Sequence, residues 1–275
     1  AETVAVVVVT FNRADLLTGM LDGLAALEHR PDAVLVVDKQ GIVRFKRVYA
    51  QASDIKIADI LAEVDKHNVD WEIVMGDHVM GGPEPGEVVD RLRSRKNCLA
   101  ILGNFDRWVI DKVDEQDNPF PNRNDGSRLT REHMTDDQLN WLRSLPHEFI
   151  FTAEPGHDMH VFHALPGDDE GALPLRLTDD EILERLKGAS SELLVFGQVH
   201  GPYVRKVGNQ TLLCGASAAV NWDGDNRPAY VILEYGGDGK WDAEIHRVEY
   251  DFEPQAKLNE ESWVPNGDKQ AVPIR

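Results

Sequence analysis

The stretch "ILGNFDRWV", residues 101–109, is an apolar run that halts at Gly103-Asn104 and passes at once into Phe105-Asp106-Arg107. A buried strand that ends in an amide and a carboxylate presents those groups to something beyond the sheet. The phenylalanine between them breaks the pattern. The same construction recurs upstream, where "WEIVMGD", residues 71–77, ends in Gly76-Asp77. Downstream, "DMHVFHALPGD" brings His160 and His163, and "FGQVHGP" brings His200. Open α/β sheets bind ligands in the crevice beyond the carboxyl ends of their strands, so four polar strand ends define one candidate pocket. A carboxylate, an amide oxygen and two imidazoles suit Mn²⁺, Fe²⁺ or Zn²⁺ better than Ca²⁺.

Outward from these ends, apolar runs alternate with amphipathic stretches through the first 110 residues, as strands and helices do in turn. "TVAVVVVTF", "DAVLVVD" and "GIVRFKRVYA" read as strands, and "ADLLTGMLDGLAAL" and "IADILAEVDKHN" as helices. "PGEVVDRLRSR" is a further helix before the strand "CLAILGN". Residues 111–134 turn polar and rich in Asn, Asp and Pro, which predicts a long exposed loop. "TDDQLNWLRSLP" reads as a helix with Thr135 as its N-cap. "TDDEILERLKG" is another, with Thr178 and Glu181 at capping-box spacing and Gly188 as its stop. From "LLVFGQ" to "WDAEIHRVEYDF", short strands separated by glycine turns predict a mostly antiparallel sheet. Residues 253–275 show no clear period and read as a surface tail.

A chain of 275 residues, 42% hydrophobic, can bury one main α/β domain. No apolar run approaches the roughly 20 residues needed to cross a bilayer, and "VAVVVV" has no basic flank of a signal peptide. The expectation is a soluble, cytoplasmic protein without membrane association. A net charge of −19 repels a phosphate backbone, which argues against nucleic-acid binding through a basic surface. Cys98 and Cys214 sit in apolar contexts far apart, and read as two buried free thiols rather than a disulfide.

"VMGDHVMGGPEPGEVVDRLRS", "ILGNFDRWV", "MTDDQLNWLRSLP", "HVFHALPGDD", "LLVFGQVHGPYVRKVGN" and "VEYD" resemble, in order and spacing, the calcineurin-like metallophosphoesterases. The likeness is to their small single-domain phosphodiesterase branch and covers roughly residues 53–252. It implies a four-layer αββα sandwich with metal ions at the strand ends and direct hydrolysis of a small phosphoester substrate by an activated hydroxide. It implies one or two divalent ions per chain, Mn²⁺ foremost, with Fe²⁺, Zn²⁺ or Ni²⁺ as alternatives. Carried over by position, Asp77 bridges the metals, Asn104 and His163 bind one ion, and His200 binds the other. Asp106 orients the site from behind. The domain so implied spans residues 1–252, with 1–52 an atypical N-terminal β-α-β segment and 253–275 a tail.

The resemblance breaks at three histidine positions. Phe105 stands where the family has the histidine that serves the leaving oxygen, and losing such a group costs about 10²–10⁴-fold in rate. Gln198 replaces one imidazole and offers an amide oxygen instead. In the first motif Asp54 survives as a metal ligand, but Lys56 takes the histidine's place, and an ammonium repels a dication. A catalytically silent scaffold on the same fold is therefore the alternative to a metal-dependent hydrolase. Residues 4–38 also resemble the opening of family-2 glycosyltransferases, which implies a nucleotide-sugar transferase as a third reading. Asp223-Gly224-Asp225 could then be its metal-binding Asp-x-Asp, though turn chemistry accounts for those residues as well. The N-terminal segment is expected to supply the first β-α-β unit of the sheet, with Thr10 and Asn12 near the missing motif.

Overall fold

The computed structural model describes residues 57–80, 82–112, 121–215, 217–218, 221–225 and 227–265, with the strand backbones at 5–9, 33–37 and 44–48. Ten of the strands form two mixed five-stranded sheets. In the first, β3 (Arg44–Val48) lies between β11 (Ala229–Tyr235) and β4 (Trp71–Val74). Its outer strands are β12 (Trp241–Arg247) and β5 (Cys98–Ala100). β3, β4 and β5 run parallel, whereas β11 and β12 run antiparallel to their neighbours. The second sheet has the order β6 (Glu148–Glu154), β7 (His157–Phe162), β8 (Leu193–Phe196), β10 (Gln210–Cys214), β9 (Tyr203–Val207). Its central pairs β7/β8 and β8/β10 are parallel, and both edges are antiparallel.

Strands buried on both faces need continuous apolar runs, and "IV" of β4 and "LLVF" of β8 supply them. Ile73 and Val74 of β4, Val161 of β7, Leu194 of β8 and Val231 of β11 share one buried cluster, so a single core lies between the sheets. Leu61 and Val64 of α1 (Ile57–Asp65), Val88 and Leu92 of α2 (Pro85–Arg93), and Ile182 of α6 (Asp179–Arg185) join that cluster. Helix, sheet, sheet, helix is the four-layer order expected from the sequence. A smaller cluster of Val79, Val89, Val109, Leu139 and Leu142 packs α3 (Asn104–Ile110) against α2 and α5 (Asp136–Arg143).

Local signals read correctly where they are self-contained. Thr135 caps α5 by accepting the Gln138 N–H at 3.3 Å, and Thr178 caps α6 by accepting the Glu181 N–H at 3.3 Å. Such caps each contribute about 1 kcal/mol. Both cysteines are free, and burial pushes the Cys98 thiol up to about 12, which makes it a poor nucleophile at neutral pH. No helix among the described residues is long and apolar enough to cross a membrane.

Four expectations are corrected. Part of the loop expected over 111–134 is a helix, α4 (Pro121–Glu132). Ser127 and Thr130 are buried on it, and Ser127 Oγ donates to the Trp108 carbonyl at 2.8 Å, so polar residues hold a helix that shows no apolar stripe. The C-terminal strands do not form one antiparallel sheet: β8 to β10 belong to the second sheet and β11 and β12 to the first. Part of the expected surface tail is a helix, α7 (Glu253–Glu261), with Gln255 and Asn259 buried. Beyond it Trp263 stacks on His133 at 4.0 Å and donates to the Pro83 carbonyl at 3.1 Å. Lastly, β1 (Ala5–Val9) and β2 (Ala33–Val37) pair in parallel as a separate two-stranded sheet. They do not extend the first sheet, where β3 takes the place expected of them. Thr10 and Asn12 lie outside the described residues.

Candidate active site

Two glycines let the ends of β4 and β5 touch. A Cβ on Gly76 would meet the Gly103 nitrogen at 2.5 Å and His163 Nδ1 at 2.8 Å, and one on Gly103 would run into the Asp77 amide nitrogen and Oδ1. This close approach is the physical reason for a glycine before each polar residue. Asp77 then turns left-handed, at φ 57°, as do Gln198 at 58° and His200 at 48°. Left-handed backbone is uncommon outside glycine, least so for Asp and His and more costly for Gln, and persists where surrounding structure enforces it.

From these strand ends four side chains converge. His163 Nε2 lies 3.1 Å from Asn104 Oδ1, 3.1 Å from Gln198 Oε1 and 3.4 Å from Asp77 Oδ2. Asp77, Asn104 and His163 are buried, and Gln198 is half-buried. His163 Nδ1 is 2.5 Å from the Met75 carbonyl, which can only accept, so that nitrogen carries a proton. A neutral ring would then aim the lone pair of Nε2 at three oxygens. With the amide oxygens turned toward it, a cation, either a second ring proton or a metal ion, makes the cluster favourable.

The charges agree with the geometry. Burial alone would lower His163, but the Asp77 carboxylate outweighs it and pushes the imidazole up to about 9. Burial alone would raise Asp77, and His163 together with the Phe105 N–H and His200 outweighs it, holding the carboxyl below its ordinary range. Asp77 Oδ1 accepts that N–H at 2.9 Å, whereas Oδ2, fully shielded from solvent, makes no hydrogen bond. The pair is thus a carboxylate and an imidazolium when no metal competes.

Phe105 is explained in part by that bond. Its main chain serves Asp77, while its half-buried ring packs on Trp108 at 5.1 Å. Asp106 is fully buried and takes four donors: the amides of His78 at 2.8 Å, Val79 at 3.1 Å and Gly103 at 3.0 Å, and His78 Nδ1 at 2.7 Å. It ties the loop after β4 to the start of α3, behind the four converging side chains. His78, a wholly buried partner, escaped sequence reading because only the fold brings it to Asp106.

The remaining candidates differ. His200, two residues beyond Gln198, is half-buried, and its carbonyl accepts the Trp222 N–H at 2.7 Å. Its imidazole helps to lower Asp77. His160 does not join the cluster. It sits within β7, with Nε2 3.3 Å from Glu148 Oε2. Asp223 and Asp225 are bound to arginines: Asp225 holds Arg227 at 2.6 Å, and Asp223 pairs with Arg247. Asp54 and Lys56 lie outside the described residues.

Among the described residues no three His, Cys, Asp or Glu side chains are grouped to cage a metal. The convergent set is instead one carboxylate, one imidazole and two amide oxygens, with one carboxylate oxygen unsatisfied. Those donors fit a single divalent ion of borderline hardness.

No protein-family model matches the sequence, and no curated protein matches it significantly. Solved structures do share its fold. A metallophosphoesterase from Sphaerobacter thermophilus superposes with a TM-score of 0.65 at 19% identity, covering 84% of this chain and 98% of that one. A hypothetical protein from Pyrococcus horikoshii OT3 superposes with a TM-score of 0.72 at 13% identity, covering 84% and 97%. The fold is that of the calcineurin-like metallophosphoesterases, as the sequence motifs implied.

Proposed function

We propose that this protein is a metal-dependent phosphoesterase acting on a small phosphodiester or phosphomonoester. The observation that carries the reading is the meeting of Asp77, Asn104 and Gln198 oxygens around His163 Nε2, with Asp77 Oδ2 unsatisfied. Those four residues would hold one divalent ion, with Mn²⁺ the first candidate and Fe²⁺, Zn²⁺ or Ni²⁺ behind it. When bound, such an ion supplies Lewis-acid charge to a phosphoryl oxygen and a water acidic enough to attack at neutral pH. Asp77 supplies the negative charge that selects a cation. The Met75 carbonyl fixes the His163 ring and its tautomer, and the Phe105 N–H fixes the Asp77 carboxylate. Asp106 and His78 hold the two loops in place behind them. His200 stands beside this set as a further ligand or phosphoryl contact.

Mn²⁺ with an aryl phosphodiester tests the reading directly. Hydrolysis is expected from the wild type and none from Asp77→Ala. Turnover that survives Asp77→Ala ends the proposal.

Phe105 supports a second reading, a silent binding protein on the same fold, because phenylalanine stands where the resemblance expects the histidine that serves the leaving oxygen, and its ring has nothing to donate. In that case Phe105→His with Gln198→His restores metal binding and turnover to an inert wild type. The glycosyltransferase reading loses its metal motif, since Asp223 and Asp225 are engaged by Arg247 and Arg227.

A further inference from the structure

Phe105 leaves the reaction proposed above without a proton donor at position 105. A cavity of about 490 Å³ opens beside His163, lined in part by Arg107, His147, Glu148, Asp168 and Asp169. That volume is in the range of small-molecule sites. His163 belongs both to the donor set and to this wall, so the cavity lies beside the place where a phosphoryl group would rest on the donors. His147 is held there by its neighbour. The Pro146 carbonyl accepts the Leu102 N–H at 2.8 Å, which pins residue 146 against the segment leading into Asn104 and Phe105.

The other ionisable groups lining the cavity are engaged by partners. Arg107 is clamped by Asp169 at 2.6 and 3.0 Å and by Glu170 at 2.7 Å, and a guanidinium does not deprotonate in proteins. Asp169 is bound in that pair. Glu148 contacts His160 and accepts the Gly167 N–H at 3.0 Å, and these hold it ionised, below its ordinary range. Asp168 Oδ1 accepts the amides of Glu170 at 2.9 Å and Gly171 at 3.2 Å. His163 is committed to Met75 and the donor set. His147 is exposed and makes no hydrogen bond to the described residues. Histidine is also the side chain that ordinarily exchanges its proton near neutral pH.

We infer that His147 protonates the leaving oxygen, taking over the task for which position 105 has no group. Water forms the new bond to phosphorus and gives up its proton to solvent. The bond to the leaving oxygen breaks with its electron pair on that oxygen, which takes the His147 proton. The neutral imidazole is recharged from solvent. The substrate class follows, an ester of a poorly acidic alcohol, for which a proton donor matters.

The inference rests on the phosphoesterase reading, and two esters separate the two. Nitrophenolate leaves without a proton, whereas an alkoxide does not. With Mn²⁺ present, His147→Ala and His147→Gln are expected to lower kcat on a dialkyl phosphodiester by about 100-fold or more. The loss on bis-nitrophenyl phosphate should be at least about tenfold smaller, because less proton transfer is needed there. Both variants should also lose the alkaline decline of the wild-type pH–rate profile on the alkyl ester. Equal losses on both esters, an unaltered alkyl rate, or a retained alkaline decline overturns the inference alone. So does a wild type active only on the nitrophenyl ester, since it has no working donor. A wild type that hydrolyses neither ester overturns the phosphoesterase reading itself.

Discussion

Asp77 lies buried at the end of β4, where one carboxylate oxygen accepts the Phe105 N–H and the other makes no hydrogen bond. Asp223 and Asp225 occupy a loop ahead of β11, where Arg247 and Arg227 already neutralise them. Both places show aspartates beside glycine, and by sequence either could hold a metal. The difference lies in what is left over. A carboxylate near solvent with a guanidinium partner has its charge balanced and screened. The buried Asp77 carboxylate is instead paired with a His163 imidazolium whose Nε2 proton a metal ion can replace, and the surrounding medium screens that charge poorly.

The sharpest way to break this comparison is to remove Asp77. Asp77→Ala should weaken Mn²⁺ binding, read by calorimetric titration, beyond the roughly 10–100-fold that loss of an outer partner costs. A smaller loss means that the metal is held elsewhere.

Asp106 comes next, because it supports the buried site and has no counterpart in the exposed loop. Asp106→Ala strands three backbone N–H groups and His78 Nδ1 in the interior, and should cost about 3–5 kcal/mol in urea denaturation. A cost under about 1 kcal/mol would show that water satisfies those groups instead.

Protons sharpen the contrast further. Folding raises His163 from 6.5 to about 9, so its stabilising contribution is complete below the unfolded value and fades as pH rises through about 9. Folding lowers Asp77 from 3.8, so its contribution is present above that value and fades as pH falls below it. Chelator-treated protein should therefore be most resistant to urea between these limits. A divalent ion takes the place of the Nε2 proton, so Mn²⁺ affinity should climb with pH up to about 9. Affinity that is flat from neutral pH upward would contradict the pairing of Asp77 with His163.

The smallest effect belongs to the loop. Asp223→Asn with Asp225→Asn should leave Mn²⁺ affinity and hydrolysis unchanged, since their arginine partners are at the surface or nearly so. A lost metal site there would revive the transferase reading.

Much of the fold was legible because its signals are local. The Thr135 and Thr178 caps and the apolar runs of β4 and β8 depend on neighbours a few residues away, and both sequence and structure show them. The helix at 121–132 was not legible, because its buried residues include the polar Ser127, held by a carbonyl on another helix, and Thr130, rather than an apolar face. The division of β8 to β12 between two sheets was hidden for a related reason, since alternation along a strand does not name its partner.

The sequence by itself determined which chemical groups stand at the strand ends: Asp77, Asn104, His163, Gln198 and His200, with phenylalanine rather than histidine at 105. Glycine before Asp77 and Asn104 already marked where backbones must touch. Only the tertiary structure decided that four of those groups meet, that His160 does not join them, and that His78 braces Asp106. Residue identity and short-range spacing are properties of the chain, whereas burial and the pairing of distant donors with acceptors arise only when the two sheets close over a common core.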